Sequence, residues 1–176
     1  SIQFQGTFTY NNNHISVYDE APGKRDAMKS QGKNVNTVWG YVSDGLYIDR
    51  ADIANSPTST LGNIAIAPGD IKYVDQPDRE GKYDGRITAD DQVPLGVSVP
   101  KIIYGFGPSV GYKNWDFSVF FQGRGNVALM LSDIQPFGSS YRRGVLKFID
   151  ENHWSPDNQD PNAKYPRLTD NYNNHN

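Results

Sequence analysis

Residues 102–123 read IIYGFGPSVGYKNWDFSVFFQG. If the chain reverses at Lys113-Asn114, Tyr112 comes opposite Trp115, Val110 opposite Phe117, Pro108 opposite Val119 and Phe106 opposite Phe121. Every one of these pairs is apolar, while the alternate positions carry Gly, Ser, Asp and Gln. A slip of one residue would exchange the two faces, so the pattern specifies one register. The turn has the two-residue length of a tight hairpin, and Asn114 tolerates the positive φ such turns require. Two residues fit badly. Phe120 falls on the polar face, and Pro108 cannot donate to a strand ladder.

Residues 1–12, SIQFQGTFTYNN, repeat the pattern. Ile2, Phe4, Phe8 and Tyr10 share one face, and Gln3, Gln5, Thr7 and Thr9 the other, as in a strand apolar on one side. Strands are therefore expected at about 1–12, 102–112 and 115–123. Between and after them lie two long segments, 13–101 and 124–176. Val38–Asp49 reads as extended or looped, Arg50–Asn55 as a helical turn before Ser56-Pro57, and Ser139–Trp154 as a short amphipathic helix capped by Ser139 or Ser140. Loops this long are rare in compact soluble domains.

Composition sets outer limits. The 176 residues carry a net charge of −3 with mixed signs, which offers no basic surface for nucleic acid. Cysteine is absent, which excludes disulfides, zinc-thiolate sites and thiol catalysis. No apolar run approaches the roughly 18 residues of a transmembrane helix, although barrel strands give a weaker signal. The sequence starts at Ser1 inside a strand pattern and reads as part of a longer protein.

Alternation alone suits a soluble β-sandwich as well as a membrane barrel. Three details favour the barrel. The strands have the length, about 9–11 residues, that crosses a bilayer when tilted. Their polar faces suit a wet lumen. Aromatic residues mark the strand ends, Tyr10 at one and Tyr112 with Trp115 at the other, as interfacial girdles do. The expected fold is all-β: a segment of a large antiparallel transmembrane β-barrel with long extracellular loops and one short helix.

A string of phrases then resembles one family, the SusC/RagA-like TonB-linked outer-membrane proteins. The phrases are Trp39-Gly40-Tyr41 with Asp44-Gly45-Leu46, Pro68-Gly69-Asp70-Ile71-Lys72-Tyr73, Asp84-Gly85-Arg86-Ile87, and Pro100-Lys101 with Tyr104-Gly105-Phe106. After them come Phe117 to Gly123, Trp154-Ser155-Pro156 and Asn162 to Leu168. The resemblance implies a parent barrel of about 22 strands with a plugged lumen. Residues 1–176 would then be part of that single barrel domain, from its C-terminal part, with the plug domain absent. It also implies active import of oligosaccharides or peptides across a Gram-negative outer membrane. A SusD-like surface lipoprotein would close over the barrel, and TonB would act through an N-terminal region outside this chain.

The acidic stretch 69–91 raises a metal question. With Gly85 at position 6 of a calcium loop, Asp84, the Arg86 carbonyl and Asp91 take positions 5, 7 and 12, but positions 1 and 3 become Glu80 and Lys82. Family members commonly carry an unbroken Asp-x-Asn-x-Asp-Gly phrase here. In this chain Gln76–Tyr83 is longer than that phrase, so it must bulge if Asp75 or Asp78 is to reach Asp84 and Asp91. The ligands of a structural calcium ion would be Asp75, Asp84 and Asp91. The alternative is a solvated acidic turn without metal.

Trp39, Tyr41 and Trp154 are candidate stacking surfaces for substrate, such as a sugar ring. An aromatic beside a glycine in a long loop more often anchors packing. His14, His153 and His175 are far apart in sequence, and no G-x-S-x-G elbow is present, so no catalytic constellation is expected. Arg142-Arg143 reads as a solvated helix face. A rival in a different class is a soluble β-sandwich carbohydrate-binding module with a structural calcium loop. It would bury Phe4, Phe117 and Phe121 against one another.

Overall fold

A computed structural model describes residues 1–62, 64–130, 144–169 and 175. In chain order its strands are β1 (Ile2–Tyr10), β2 (Thr37–Gly40), β3 (Ser43–Leu46), β4 (Thr58–Ser59) and β5 (Ile71–Tyr73), then β6 (Arg86–Ile87), β7 (Val93–Val97), β8 (Ile102–Tyr112), β9 (Trp115–Ser118) and β10 (Phe121–Gly125). The helices are single turns, α1 (Arg50–Ala54) and α2 (Lys147–Asp150). The architecture is mostly strand, and its main sheet is antiparallel. No helix among the described residues is long and apolar enough to cross a membrane.

The chain divides into two compact units. The first comprises residues 1–24, 29–39 and 94–130 and holds a sheet with β8 at its centre. β1 lies antiparallel on one side of β8, with Phe4 opposite Pro108 and Phe8 opposite Tyr104. β9 and β10 lie on the other side, pairing Tyr112 with Trp115, Val110 with Phe117 and Phe106 with Phe121. This is the register that the apolar alternation of 102–123 demands. The Phe106 and Phe121 rings stack across the strands at 5.4 Å. Positive φ at the turn falls on Lys113, at 54°, rather than on Asn114.

The misfit residues explain the break between β9 and β10. Pro108 offers no N–H, so the ladder there keeps only Val119 N–H to the Pro108 carbonyl, at 3.2 Å. Opposite the gap, Gly107 passes so close to the Val119 carbonyl that a Cβ would collide with it. The Phe120 ring lies across Gly105 and Gly107; a Cβ on Gly105 would sit 2.7 Å from Phe120 Cζ. An aromatic ring therefore fills the polar-face space that two glycines leave open.

Among the described residues nothing covers the apolar face of this sheet. Phe4 is 69% exposed, Phe117 64% and Phe121 54%. These side chains do not meet across an interior, as a sandwich would require. The long connections leave from the Tyr10 end, where Asn11 N–H donates to the Lys101 carbonyl at 2.8 Å. The tight turn lies at the opposite end of β8.

The second unit comprises residues 25–28, 40–93 and the described residues beyond 143. Short ribbons build it: β3 pairs antiparallel with β5, and β4 parallel with β6. Its apolar centre is small, with Leu46, Tyr47, Ile87, Ile149 and Trp154 buried. Backbone bonds between distant segments add to it. Tyr47 N–H donates to the Asp70 carbonyl (2.9 Å), Leu46 N–H to Pro161 (2.9 Å) and Arg167 N–H to Gly69 (2.9 Å).

α1 forms where Arg50–Asn55 suggested it, because the Asp49 side chain accepts the Asp52 N–H at 2.7 Å as an N-cap. The helix expected over Ser139–Trp154 is shorter among the described residues, one turn at Lys147–Asp150. Its N-cap is Leu146, which has no side-chain acceptor to extend the helix start. The candidate caps Ser139 and Ser140, and Arg142-Arg143, lie outside the described residues.

Candidate functional site

Phrases scattered through the sequence meet in the second unit. Gly69 adopts φ of +86°, and a Cβ on it would strike the Trp154 indole and lie 2.8 Å from Arg167 Cβ. The glycine thus allows an indole to lie directly on the backbone. Beside it Asp70, fully buried, accepts from Arg167 Nε at 2.5 Å and from the Ala67 N–H at 2.9 Å. One knot joins the Pro68-Gly69-Asp70, Trp154 and Tyr165-Pro166-Arg167 phrases. Asp70 and Arg167 each lie in one of these phrases, but their pairing does not show in the sequence, since an ion pair 97 positions apart has no local signature.

The candidate stacking residues fare differently from one another. Trp154 is only 6% exposed and lies on Gly69, which is the packing-anchor arrangement and leaves little ring surface for a ligand. Tyr41 is half-buried, stacks on Tyr73 at 5.1 Å and accepts a bond from Gln92 Nε2 at 3.4 Å. Burial, with Tyr41 adding to it, pushes the Tyr73 phenol up to about 12, so Tyr73 keeps its proton. Trp39 is half-buried at the end of β2, in the other unit.

His175 continues the aromatic row, with its ring 4.9 Å from that of Tyr73. Its Nδ1 lies 2.8 Å from the Ile71 carbonyl and its Nε2 2.6 Å from Ser59 Oγ. A carbonyl only accepts, so Nδ1–H donates to Ile71, while Nε2 and the serine hydroxyl share a second hydrogen bond. The pair resembles a hydrolase dyad in outline, but His175 is wholly buried and a carbonyl stands where a carboxylate would orient the ring. The arrangement locks a loop.

In the acidic stretch the chain does bulge. Asp78 closes the excursion, with its Oδ1 accepting the N–H groups of Glu80 (2.8 Å) and Lys82 (2.9 Å). The Lys82 ammonium pairs with Glu80 at 3.0 Å, and both are exposed. The excursion returns Gly85 to Asp75, whose Oδ2 accepts the Gly85 N–H at 2.8 Å. Asp91 is buried and satisfied by the backbone: Oδ1 accepts from Gln76 N–H (2.8 Å), Oδ2 from Thr88 N–H (2.6 Å). Asp84 is exposed and accepts the Arg86 N–H at 2.8 Å. Among the described residues no three acidic or histidine side chains form a ready cation cage.

Arg25 fastens a neighbouring segment to this stretch, a residue the sequence reading missed. Its guanidinium donates to the carbonyls of Pro77 (3.1 Å), Gln92 (3.3 Å) and Asp90. Carbonyl recognition by an arginine has no sequence motif to announce it.

On the first unit, the polar face of the sheet holds a cavity of about 690 Å³. Thr7, Ile103, Phe120, Gln122 and Arg124 line it. These groups can bind and orient a polar ligand; they include no nucleophile paired with a base.

Comparison with known sequences gives this geometry its setting. No protein-family model matches the chain. It is similar to TonB-dependent receptor P26 of Formosa agariphila, 37% identical over 154 residues, which is 86% of this chain and 14% of that protein. It is also 26% identical over 156 residues to TonB-dependent receptor P3 of the same organism, again 14% of the relative's length. Over most of its own length, the chain is a homologue of one stretch of the TonB-dependent receptors.

Proposed function

We propose that this chain forms part of the barrel wall and extracellular loops of a SusC/RagA-like importer in a Gram-negative outer membrane. The parent takes up oligosaccharides or peptides, is driven through TonB, and works with a SusD-like lipoprotein. The observation that carries the reading is the sheet itself. It is apolar and uncovered on one face, through Phe4, Phe117 and Phe121, and polar on the other. In water such a face is costly, at about 25 cal/mol per Å²; against acyl chains it is at home. The likeness to the two receptors supports it independently.

In this reading β1, β8 and the β9–β10 ribbon cross the bilayer. The second unit, knotted by Asp70, Arg167 and Trp154, holds the extracellular vestibule in shape. Its role is binding and gating, and no bond of the substrate is broken.

The test is uptake. Cells carrying the intact receptor should accumulate a labelled oligosaccharide or oligopeptide pool, and should lose that uptake when the receptor or TonB is deleted. A lipoprotein of the SusD class should co-purify in detergent. Uptake that persists without TonB, or a receptor that purifies without a lipoprotein, would overturn the corresponding part of the proposal.

A further inference from the structure

The cavity on the polar face of the sheet is built around an aromatic ring. Phe120 is seated on Gly105 and Gly107, and a Cβ at either glycine would press into it. The seat fixes the ring from below, yet Phe120 remains 50% exposed. A ring held on one side and open on the other is a platform. The ladder places Thr7 on β1 and Gln122 on β10, each opposite Gly105. Arg124 follows on the same face, opposite Ile103. All four side chains line the cavity. Among the described residues, no hydrogen bond or ion pair engages the Thr7 hydroxyl, the Gln122 amide or the Arg124 guanidinium.

These groups define a ligand chemistry. Beneath the cavity the backbone of β8 pairs with β1 on one side and with β10 on the other. An extended peptide therefore finds no free strand edge there, and recognition falls to side chains. A flat apolar platform ringed by a hydroxyl, an amide and a guanidinium suits a pyranose ring. The C–H face of the sugar packs on the aromatic. Its hydroxyls, each a donor and an acceptor, meet groups that donate and accept. Position agrees with this chemistry. Pro100, Ile103 and Arg124 set the cavity toward the end of β8 from which the long connections leave. In the transport reading that end is extracellular. We propose that Phe120, Thr7, Gln122 and Arg124 form a sugar-binding subsite on the inner wall of the barrel, with Phe120 as its stacking platform. The inference rests on the transport reading and narrows its substrate to oligosaccharides.

The experiment uses the intact receptor in detergent, with an array of immobilised oligosaccharides and a pool of random peptides as probes. Wild type is expected to bind members of the array and to leave the peptides. Phe120→Ala is expected to weaken sugar binding about tenfold or more, while Phe120→Tyr, which keeps the platform, retains it. Gln122→Ala and Arg124→Ala should each weaken it about fivefold. Both side chains are exposed, so these variants carry the test if Phe120→Ala does not assemble. Unchanged sugar binding by both overturns the subsite. Binding of peptides in place of sugars overturns the ligand class. Neither result bears on transport itself, which TonB-dependent uptake tests separately. Gln122→Cys adds a direct readout: a hydrophilic maleimide should label it, and more slowly once an oligosaccharide from the array is bound. A maleimide that cannot reach Gln122→Cys in the intact receptor overturns the proposal, because another part of the receptor then fills the cavity.

Discussion

Arg167 Nε donates to Asp70 Oδ1 at 2.5 Å across 97 positions of sequence, with the carboxylate fully buried. The pair closes the second unit around Trp154. Removing one partner strands a buried charge, which costs about 3–5 kcal/mol. Arg167→Leu is expected to open residues 144–169 to protease at low enzyme concentration. Asp70→Asn together with Arg167→Leu should be less damaging than Arg167→Leu alone, because no charge is then left buried. Limited proteolysis of the purified receptor checks both.

Gly69→Ala places a methyl group against the Trp154 indole at a backbone φ of +86°. The backbone conformation alone costs a non-glycine residue about 1–2 kcal/mol, and the collision adds to it. The expected outcome is a displaced indole. Taken as the difference in emission between each protein and its Trp154→Phe variant, the Trp154 signal should shift to longer wavelength.

The two faces of the sheet should respond oppositely to charge. Phe106→Arg places a cation on the apolar face, at a cost of about 2–4 kcal/mol near the bilayer midplane. It is expected to reduce assembled receptor in the outer membrane. Gln5→Arg, on the polar face of the paired strand β1, should assemble normally. Equal loss for both would mean that the apolar face does not meet lipid.

Two aspartates give the second unit opposite responses to pH. The Lys72 hydrogen bond at 2.9 Å, opposed by burial and aided by the Ile48 N–H, holds the Asp52 carboxyl below its ordinary 3.8. Its stabilisation is present above that pH and is lost as pH falls through the lower folded value. Burial first, then Asp84 and Asp91, holds Asp75 above 3.8. Its ionisation therefore weakens the fold as pH rises from about 4 through the folded value. Proteolysis across pH should show both trends, and Asp75→Asn should remove only the second.

The strand register was legible in the residues alone, because a period of two admits one solution when every cross-strand pair must be apolar. Residues 102–123 contain that solution, whereas 1–12 showed only its two faces and its register on β8 was decided in the fold. The glycine-aromatic exchange was not legible. Phe120 reads as an error on a polar face until Gly105 and Gly107 are seen beneath it. The helical turn was expected at Arg50–Asn55 before Ser56-Pro57; its Asp49 cap, a contact spanning three residues, came to light only in the fold.

The loop unit divides the same way. Its acidic composition was written in 69–91, while its need to bulge was implied by the resemblance to the family's shorter Asp-x-Asn-x-Asp-Gly phrase. That the bulge would return Gly85 to Asp75 and send Lys82 outward was decided only in three dimensions. Trp154 stood equally well as a stacking surface or an anchor in the sequence; its seat on Gly69 was a tertiary outcome. Alternation is a short-range property that each residue carries with its neighbours. Burial and pairing, as in Asp70 with Arg167, belong to segments that meet only after the chain has folded.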